Sequence, residues 1–96
     1  MTSDAITTPS DNTVGQWAIL CVDDEPNILS SLRWLFRPEG YKFFSAENGA
    51  EGLEICERES IDLVISDMRM PQMTGAQFLE QVRARWPETI RLLLTG

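Results

Sequence analysis

Four short apolar runs alternate along this sequence with three longer stretches whose apolar residues recur at helical spacing. The runs are WAILCV (17–22), YKFFSA (41–46), IDLVIS (61–66) and IRLLLT (90–95). Strands that alternate with helices form a parallel sheet with right-handed crossovers. The pattern therefore predicts an α/β domain over residues 17–96, with the element order β-α-β-α-β-α-β.

The predicted helices carry their own start signals. Pro26 suits the first turn of the first helix. Asn48 followed by Glu51, and Thr74 followed by Gln77, have the spacing of helix N-caps. The apolar stripe of the first helix is predicted to face the core and consists of Ile28, Leu29, Leu32, Leu35 and Phe36. Trp34 lies off that stripe and is expected to be exposed.

Composition excludes several classes of function. Residues 1–16 are rich in Ser, Thr, Pro, Asp and Asn, which predicts a flexible tail and no signal peptide. No apolar run approaches the ~20 residues that cross a bilayer. The net charge of −7 argues against a direct nucleic-acid surface, and the absence of His excludes His-based chemistry. Cys21 and Cys56 lack metal or redox spacing, so we expect two buried thiols in a reducing cytoplasm.

Polar side chains follow three of the predicted strands. Asp23 and Asp24 follow the first strand, Asp67 the third and Thr95 the fourth. If the strand order is 2-1-3-4, the first and third strands are neighbours about 4.8 Å apart, and these groups would then meet at one edge of the sheet. Three such carboxylates cannot all stay ionised cheaply, and Mg²⁺ would resolve the conflict. A carboxylate beside Mg²⁺ can attack phosphorus. The alternative is a set of solvated loop acids, with Asp24 or Glu25 capping the helix.

Three segments together resemble the receiver domain of two-component response regulators. They are ILCVDDEP (19–26), DLVISDMRMPQMTG (62–75) and RLLLTG (91–96). The most specific part is the D-x-x-M-P-x-x-x-G pattern from Asp67 to Gly75. The resemblance implies a flavodoxin-like, three-layer α/β fold with a parallel sheet of order 2-1-3-4.

The resemblance also implies a role for each matched residue. Asp67 would accept a phosphoryl group from a partner sensor histidine kinase or phosphotransfer protein. Asp23, Asp24 and Asp67, with the backbone carbonyl of Arg69, would bind Mg²⁺ or another divalent cation. Thr95 would be the switch hydroxyl that bonds the phosphoryl group. Such a domain is a regulatory switch and not an enzyme, apart from its own phosphoryl transfer.

The chain departs from the family pattern at its end. Receiver domains usually continue with a fourth helix, a fifth strand and a fifth helix, whereas this sequence stops at Gly96 after the fourth strand. We therefore expect a partial receiver domain over residues 17–96 that lacks the strand-5 lysine, so that phosphorylation is slow or unstable. We also expect the exposed edge of the fourth strand to favour homo-oligomers.

Two other functions remain open at this stage. One is an interaction module that dimerises or swaps elements without phosphorylation. The other is a metal-dependent phosphohydrolase of the aspartyl-phosphate type. Those enzymes typically place a second acid two residues after the nucleophile, where this sequence has Arg69, and this argues against the phosphohydrolase.

Overall fold

The computed structural model describes residues 17–95, so the predicted N-terminal tail and Gly96 lie outside the described residues. All four predicted strands and all three predicted helices are present. The strands are β1 (Ala18–Val22), β2 (Lys42–Ala46), β3 (Leu63–Asp67) and β4 (Ile90–Leu94). The helices are α1 (Pro26–Phe36), α2 (Gly49–Arg58) and α3 (Gly75–Arg85), and a short 3-10 helix (Arg37–Glu39) follows α1.

The four strands form one parallel sheet in the order β2-β1-β3-β4, which confirms the predicted order. Cys21, the fourth residue of β1, is opposite Ser45 of β2 and Ile65 of β3. Asp67, the last residue of β3, is opposite Leu94, the last residue of β4. The carboxyl ends of β1, β3 and β4 therefore lie side by side at one edge of the sheet.

Both faces of β1 are covered, which gives the fold its three layers. Leu20 and Val22 belong to the cluster beneath α2 and α3, which includes Phe78 and Val82 of α3. The alternate residues of β1, Ile19 and Cys21, belong to a second cluster beneath α1. Every residue of β1 is buried, and each large apolar side chain buried in this way contributes about 1.5–3 kcal/mol. The unbroken apolar run therefore produces the central strand.

The helix starts follow the predicted chemistry. The Asn48 side chain accepts a hydrogen bond from the Glu51 backbone N–H at the start of α2. At the start of α3, the Thr74 hydroxyl accepts a bond from the Gln77 N–H, and the Gln77 side chain accepts one from the Thr74 N–H. This reciprocal pair is a capping box, which satisfies two backbone donors that the helix itself leaves unpaired.

The apolar stripe of α1 is only partly buried, contrary to the prediction that its five members face the core. Leu29 is buried, whereas Ile28 is 41% and Leu35 65% exposed. The helix packs on β1 and β2, and this contact leaves Ile28 and Leu35 exposed. Trp34 is exposed, as expected, and the Arg37 guanidinium lies over its ring.

The two cysteines are free and buried, as predicted. Burial raises the pKa of the Cys21 thiol to about 12 and that of the Cys56 thiol to about 11. Because the thiolate is the reactive form, both side chains act as small apolar groups of the core.

Candidate functional site

The functional residues predicted from sequence sit where the strands end. The Asp23 backbone N–H donates to the carbonyl of Ala46, at the end of β2, over 3.0 Å. The Met68 N–H donates to the carbonyl of Leu94, at the end of β4, over 3.1 Å. These bonds extend the sheet ladder past the last residues of β1 and β3, and the pairing of β1 with β3 places the two following segments at the same edge.

Three carboxylates converge at this edge. One carboxylate oxygen from each of Asp23, Asp24 and Asp67 lies within 4.8 Å of the other two. Asp23 is buried, Asp67 is half-buried and Asp24 is exposed. The cluster therefore has one carboxylate inside the protein, one at the surface and one at an intermediate depth.

Asp23 bears most of the electrostatic strain in this cluster. Burial is the main reason that the pKa of its carboxyl is raised, and the neighbouring Asp67, Asp24 and Glu25 raise it further. A hydrogen bond that its Oδ1 accepts from the Glu25 N–H, over 2.9 Å, acts in the opposite direction. The raised pKa of Asp23 agrees in direction with the expectation that three carboxylates here cannot all stay ionised cheaply, although burial is its larger cause. A divalent cation bound among the three acids would relieve this strain.

An Asp23→Asn variant is expected to be more stable than the wild type in metal-free buffer and to bind Mg²⁺ more weakly. A raised pKa means that the folded state holds the proton more tightly than the unfolded chain does. The wild type therefore loses stability as pH rises from the ordinary Asp range through the raised pKa, whereas the variant does not. Asn keeps the oxygen that accepts the Glu25 hydrogen bond. Urea unfolding from pH 4 to pH 8 with EDTA checks this, and parallel curves for the two proteins would contradict it.

The loop after β3 explains the D-x-x-M-P-x-x-x-G spacing. Met70 is buried in the core, and this anchors the middle of the loop. The Gly75 N–H donates to the Met68 carbonyl over 2.9 Å, so the loop closes on itself. A Cβ atom on Gly75 would lie 2.0 Å from the Asp67 carbonyl oxygen. Gly75 is therefore needed for close approach to the backbone of Asp67.

Sequence reasoning also missed one feature of this loop. Gln72 has a φ of 73°, in the left-handed region that glycine favours. Gln carries no signal for that conformation, since Asn, Asp and Gly are the usual residues there. Its neighbour Pro71 accepts a hydrogen bond from the Met73 N–H over 2.7 Å, which closes a tight turn at this point.

Two adjoining concavities open onto the carboxylates. The first has a volume of about 450 Å³ and is lined by Asp23, Asp67, Thr95 and Arg69, with Ile28 and Leu94 among its apolar residues. Asp24 and Arg69 line the second, beside Thr74. The structure therefore brings all five predicted site residues to one edge of the sheet, with Thr95 on the same concavity as Asp67.

The geometry argues against the alternative of solvated, helix-capping acids at Asp23 and at Glu25. Glu25 occupies the N-cap position of α1, but its side chain makes no capping hydrogen bond. Asp23 is buried and accepts a backbone hydrogen bond within the loop, so it is not a solvated side chain. The arrangement can hold a hard divalent cation and present a carboxylate oxygen beside it.

Known proteins are similar to this chain in sequence and in fold. A sequence model of the response regulator receiver domain matches residues 19–96. The chain is 43% identical over 78 residues to the transcriptional regulatory protein GlrR of Escherichia coli; the match covers 81% of this chain and 18% of that protein. The chain therefore spans about a fifth of the length of this relative.

Solved structures agree with the sequence match. The signal receiver domain of an HD domain-containing protein from Pseudomonas fluorescens superposes with a TM-score of 0.82 at 36% identity, covering 84% of this chain and 65% of that one. The response regulator protein TrrA from Thermotoga maritima, in complex with Mg(2+)-BeF, superposes with a TM-score of 0.78 at 39% identity, covering 82% and 69%.

The comparisons and the geometry lead to one family. Receiver domains are generally Mg²⁺-dependent regulatory domains of two-component systems, and the cluster of Asp23, Asp24 and Asp67 is consistent with this. Within residues 17–95, no helix has the length and apolar character needed to span a membrane. The chain belongs to the response regulator receiver domain family, and its sheet carries that family's element order from β1 to β4.

Proposed function

We propose that this chain is a phosphorylation-dependent signalling switch in which Asp67 accepts a phosphoryl group from a partner histidine kinase or phosphotransfer protein in the cytoplasm. The observation that carries the proposal is the convergence of three carboxylates, from the ends of two adjacent strands, to within 4.8 Å. Membership of the receiver family supports it. We take residues 17–96 as the receiver portion and residues 1–16 as a separate tail.

The three carboxylates divide into different roles by burial. Asp23 is buried, and one of its oxygens already accepts a hydrogen bond, so it is poorly placed to attack an incoming phosphorus. Asp67 is half-buried and lines the open concavity, which leaves an oxygen accessible. We therefore assign Asp67 as the nucleophile and Asp23 and Asp24 as metal ligands, with the Arg69 carbonyl as a further ligand.

The proposed transfer is an in-line displacement at phosphorus. An oxygen of the Asp67 carboxylate forms the new O–P bond while the bond from phosphorus to the donor breaks. The donor leaves with the bonding electron pair, and an imidazole donor then takes up a proton from water. A bound Mg²⁺ would offset the negative charge that gathers on the phosphoryl oxygens.

Thr95 is the proposed sensor of the phosphoryl group. It lines the same concavity as Asp67 and directly follows β4. The Leu94 carbonyl accepts a hydrogen bond from the Met68 N–H. A backbone hydrogen bond therefore links the residue that follows Asp67 to the residue that precedes Thr95. Rotation of the Thr95 hydroxyl toward a phosphoryl oxygen would thus alter the end of β4.

The described part of the chain brings little positive charge to the phosphoryl group. The only lysine in the sequence, Lys42, is the first residue of β2 and lies at the opposite edge of the sheet from Asp67. The described residues therefore bring no lysine to the phosphoryl group. We propose that phosphorylation of this chain is slow, or that its product is short-lived.

The test is a phosphorylation assay with a small donor. The chain is incubated with Mg²⁺ and acetyl phosphate, and its intact mass is followed against time. The proposal predicts the addition of one phosphoryl group, which EDTA prevents and which is lost on standing as the acyl phosphate hydrolyses. An unchanged mass at saturating donor and Mg²⁺ contradicts the proposal.

A second candidate function, self-association, is favoured by the exposure of β4. Within residues 17–95, β4 pairs only with β3, which leaves its outer backbone edge open. Four of its five side chains are large, apolar and at least 37% exposed: Ile90, Leu92, Leu93 and Leu94. Its one charged residue, Arg91, is tied back by hydrogen bonds to the carbonyls of Pro87 and Thr89. Such an edge is a template for pairing with a second copy.

A Leu92→Lys variant tests this second function. If two copies pair through β4, the substitution brings like charges together at the shared edge and should weaken the dimer by roughly tenfold or more. Leu35→Lys makes the same change on the exposed face of α1 and should leave the dimer intact. Sedimentation velocity over a range of concentrations measures both. A wild-type chain that stays monomeric throughout contradicts the dimer.

A further inference from the structure

The acidic site contains one cationic residue. Arg69 lines both concavities, the one that holds Asp23 and Asp67 and the one that holds Asp24. Among residues 17–95, no other Lys or Arg lines either concavity. Arg69 is therefore the one Lys or Arg among residues 17–95 that lines the concavity of the proposed phosphoacceptor.

Among residues 17–95 the Arg69 guanidinium has no partner, although acids line both of the concavities that it lines. In residues 17–95 it makes no hydrogen bond or ion pair, and it is exposed. Other arginines of the chain pair readily, since Arg58 contacts Glu59 and Arg83 contacts Glu80. The donors of Arg69 are thus available to a ligand.

The chemistry of arginine suits a phosphoryl group. Its guanidinium is always charged and presents several N–H donors in a planar fork that matches phosphate oxygens. We propose that the Arg69 side chain binds the phosphoryl group on Asp67 and supplies the cation that the described chain does not provide as lysine. This inference rests on the proposed function, because it names a second residue at the same site.

The role predicts effects of opposite sign on two ligands. A positive charge beside the carboxylates repels Mg²⁺ and attracts the phosphoryl group or its mimic. Removal of the charge should therefore tighten Mg²⁺ binding and weaken binding of the mimic. If Arg69 only supported the loop, its removal would not change the two affinities in opposite directions, because a distorted loop would weaken the binding of both ligands.

The experiment compares three variants with the wild type. Mg²⁺ alone is titrated by calorimetry, and beryllofluoride is then titrated at saturating Mg²⁺. Arg69→Gln should bind beryllofluoride roughly threefold to tenfold more weakly and Mg²⁺ up to roughly threefold more tightly, as expected for one partly screened charge. Arg69→Lys should restore most of the beryllofluoride affinity. Arg58→Gln, which removes an exposed arginine remote from the site, should change neither.

Two results would overturn the proposal. One is unchanged beryllofluoride affinity in Arg69→Gln, and the other is a parallel loss of both affinities. Failure of the wild type to bind beryllofluoride in the presence of Mg²⁺ contradicts the proposed function itself, and this inference falls with it. If the wild type and Arg69→Gln bind beryllofluoride equally well, only the proposed role of Arg69 is contradicted.

Discussion

An Asp67→Asn variant is expected to lose Mg²⁺-dependent phosphorylation by more than about a hundredfold, because an amide oxygen is a poor nucleophile toward phosphorus. The substitution also removes one of the three carboxylates that meet within 4.8 Å, so Mg²⁺ binding should weaken as well. Incorporation from acetyl phosphate, measured by intact mass, gives the first effect. Calorimetric titration with Mg²⁺ gives the second.

Asp62→Asn is the matched control for this prediction. Asp62 comes just before β3, so the same exchange is made at the opposite end of the strand. Its Oδ2 accepts the Ala18 N–H over 2.9 Å, and the oxygen of an Asn could accept that bond too. This variant should be phosphorylated like the wild type. Equal losses in Asp62→Asn and Asp67→Asn would show that the effect is one of net charge or folding, and would contradict the assignment of Asp67.

A Gly75→Ala variant is expected to be destabilised by about 3 kcal/mol, at the top of the range typical of overpacked interiors. The added Cβ would lie 2.0 Å from the Asp67 carbonyl oxygen and 2.9 Å from Leu93 Cδ1. The oxygen belongs to backbone at the end of a buried strand, so it cannot rotate away as a side chain would. Either α3 or the end of β3 must therefore move. Movement of β3 would displace Asp67, the proposed phosphoacceptor.

Gly49→Ala offers a control at an equivalent position. Gly49 and Gly75 are the first residues of α2 and α3, and each follows a capping side chain. The three atoms nearest to a Cβ on Gly49 would all belong to the Met73 side chain, with the sulfur 2.6 Å away, and that flexible chain can shift. We expect a change below about 1 kcal/mol, since alanine also favours the helix. Urea unfolding that gives the two variants the same stability would contradict the account of the D-x-x-M-P-x-x-x-G loop.

Much of the fold could be predicted because the strongest local signals agree with the tertiary structure. The run that became β1 is apolar at every position, and only a strand covered on both faces buries all of it. Asn48 and Thr74 mark the starts of α2 and α3 correctly, because capping depends on residues only three apart. Such short-range chemistry is readable without knowledge of the neighbouring strands.

The convergence of the acids could not be predicted from pattern alone. It requires β1 and β3 to be adjacent, and periodicity does not encode strand order; the order came from the resemblance to receiver domains. The exposure of Ile28 and Leu35 in particular could not be read from spacing, because helical spacing shows which residues share a face and not how much of that face is covered. The left-handed Gln72 likewise depends on the loop around it.

The most direct test of the account locates the phosphoryl group in the phosphorylated chain. Treatment with sodium borohydride reduces an aspartyl phosphate to homoserine, which peptide mass spectrometry places in the sequence. We predict homoserine at position 67 alone, dependent on Mg²⁺ and on the phosphodonor. Homoserine at position 23 or 24, or phosphate retained on a hydroxyl such as that of Thr95, would contradict the central claim that Asp67 is the phosphoacceptor.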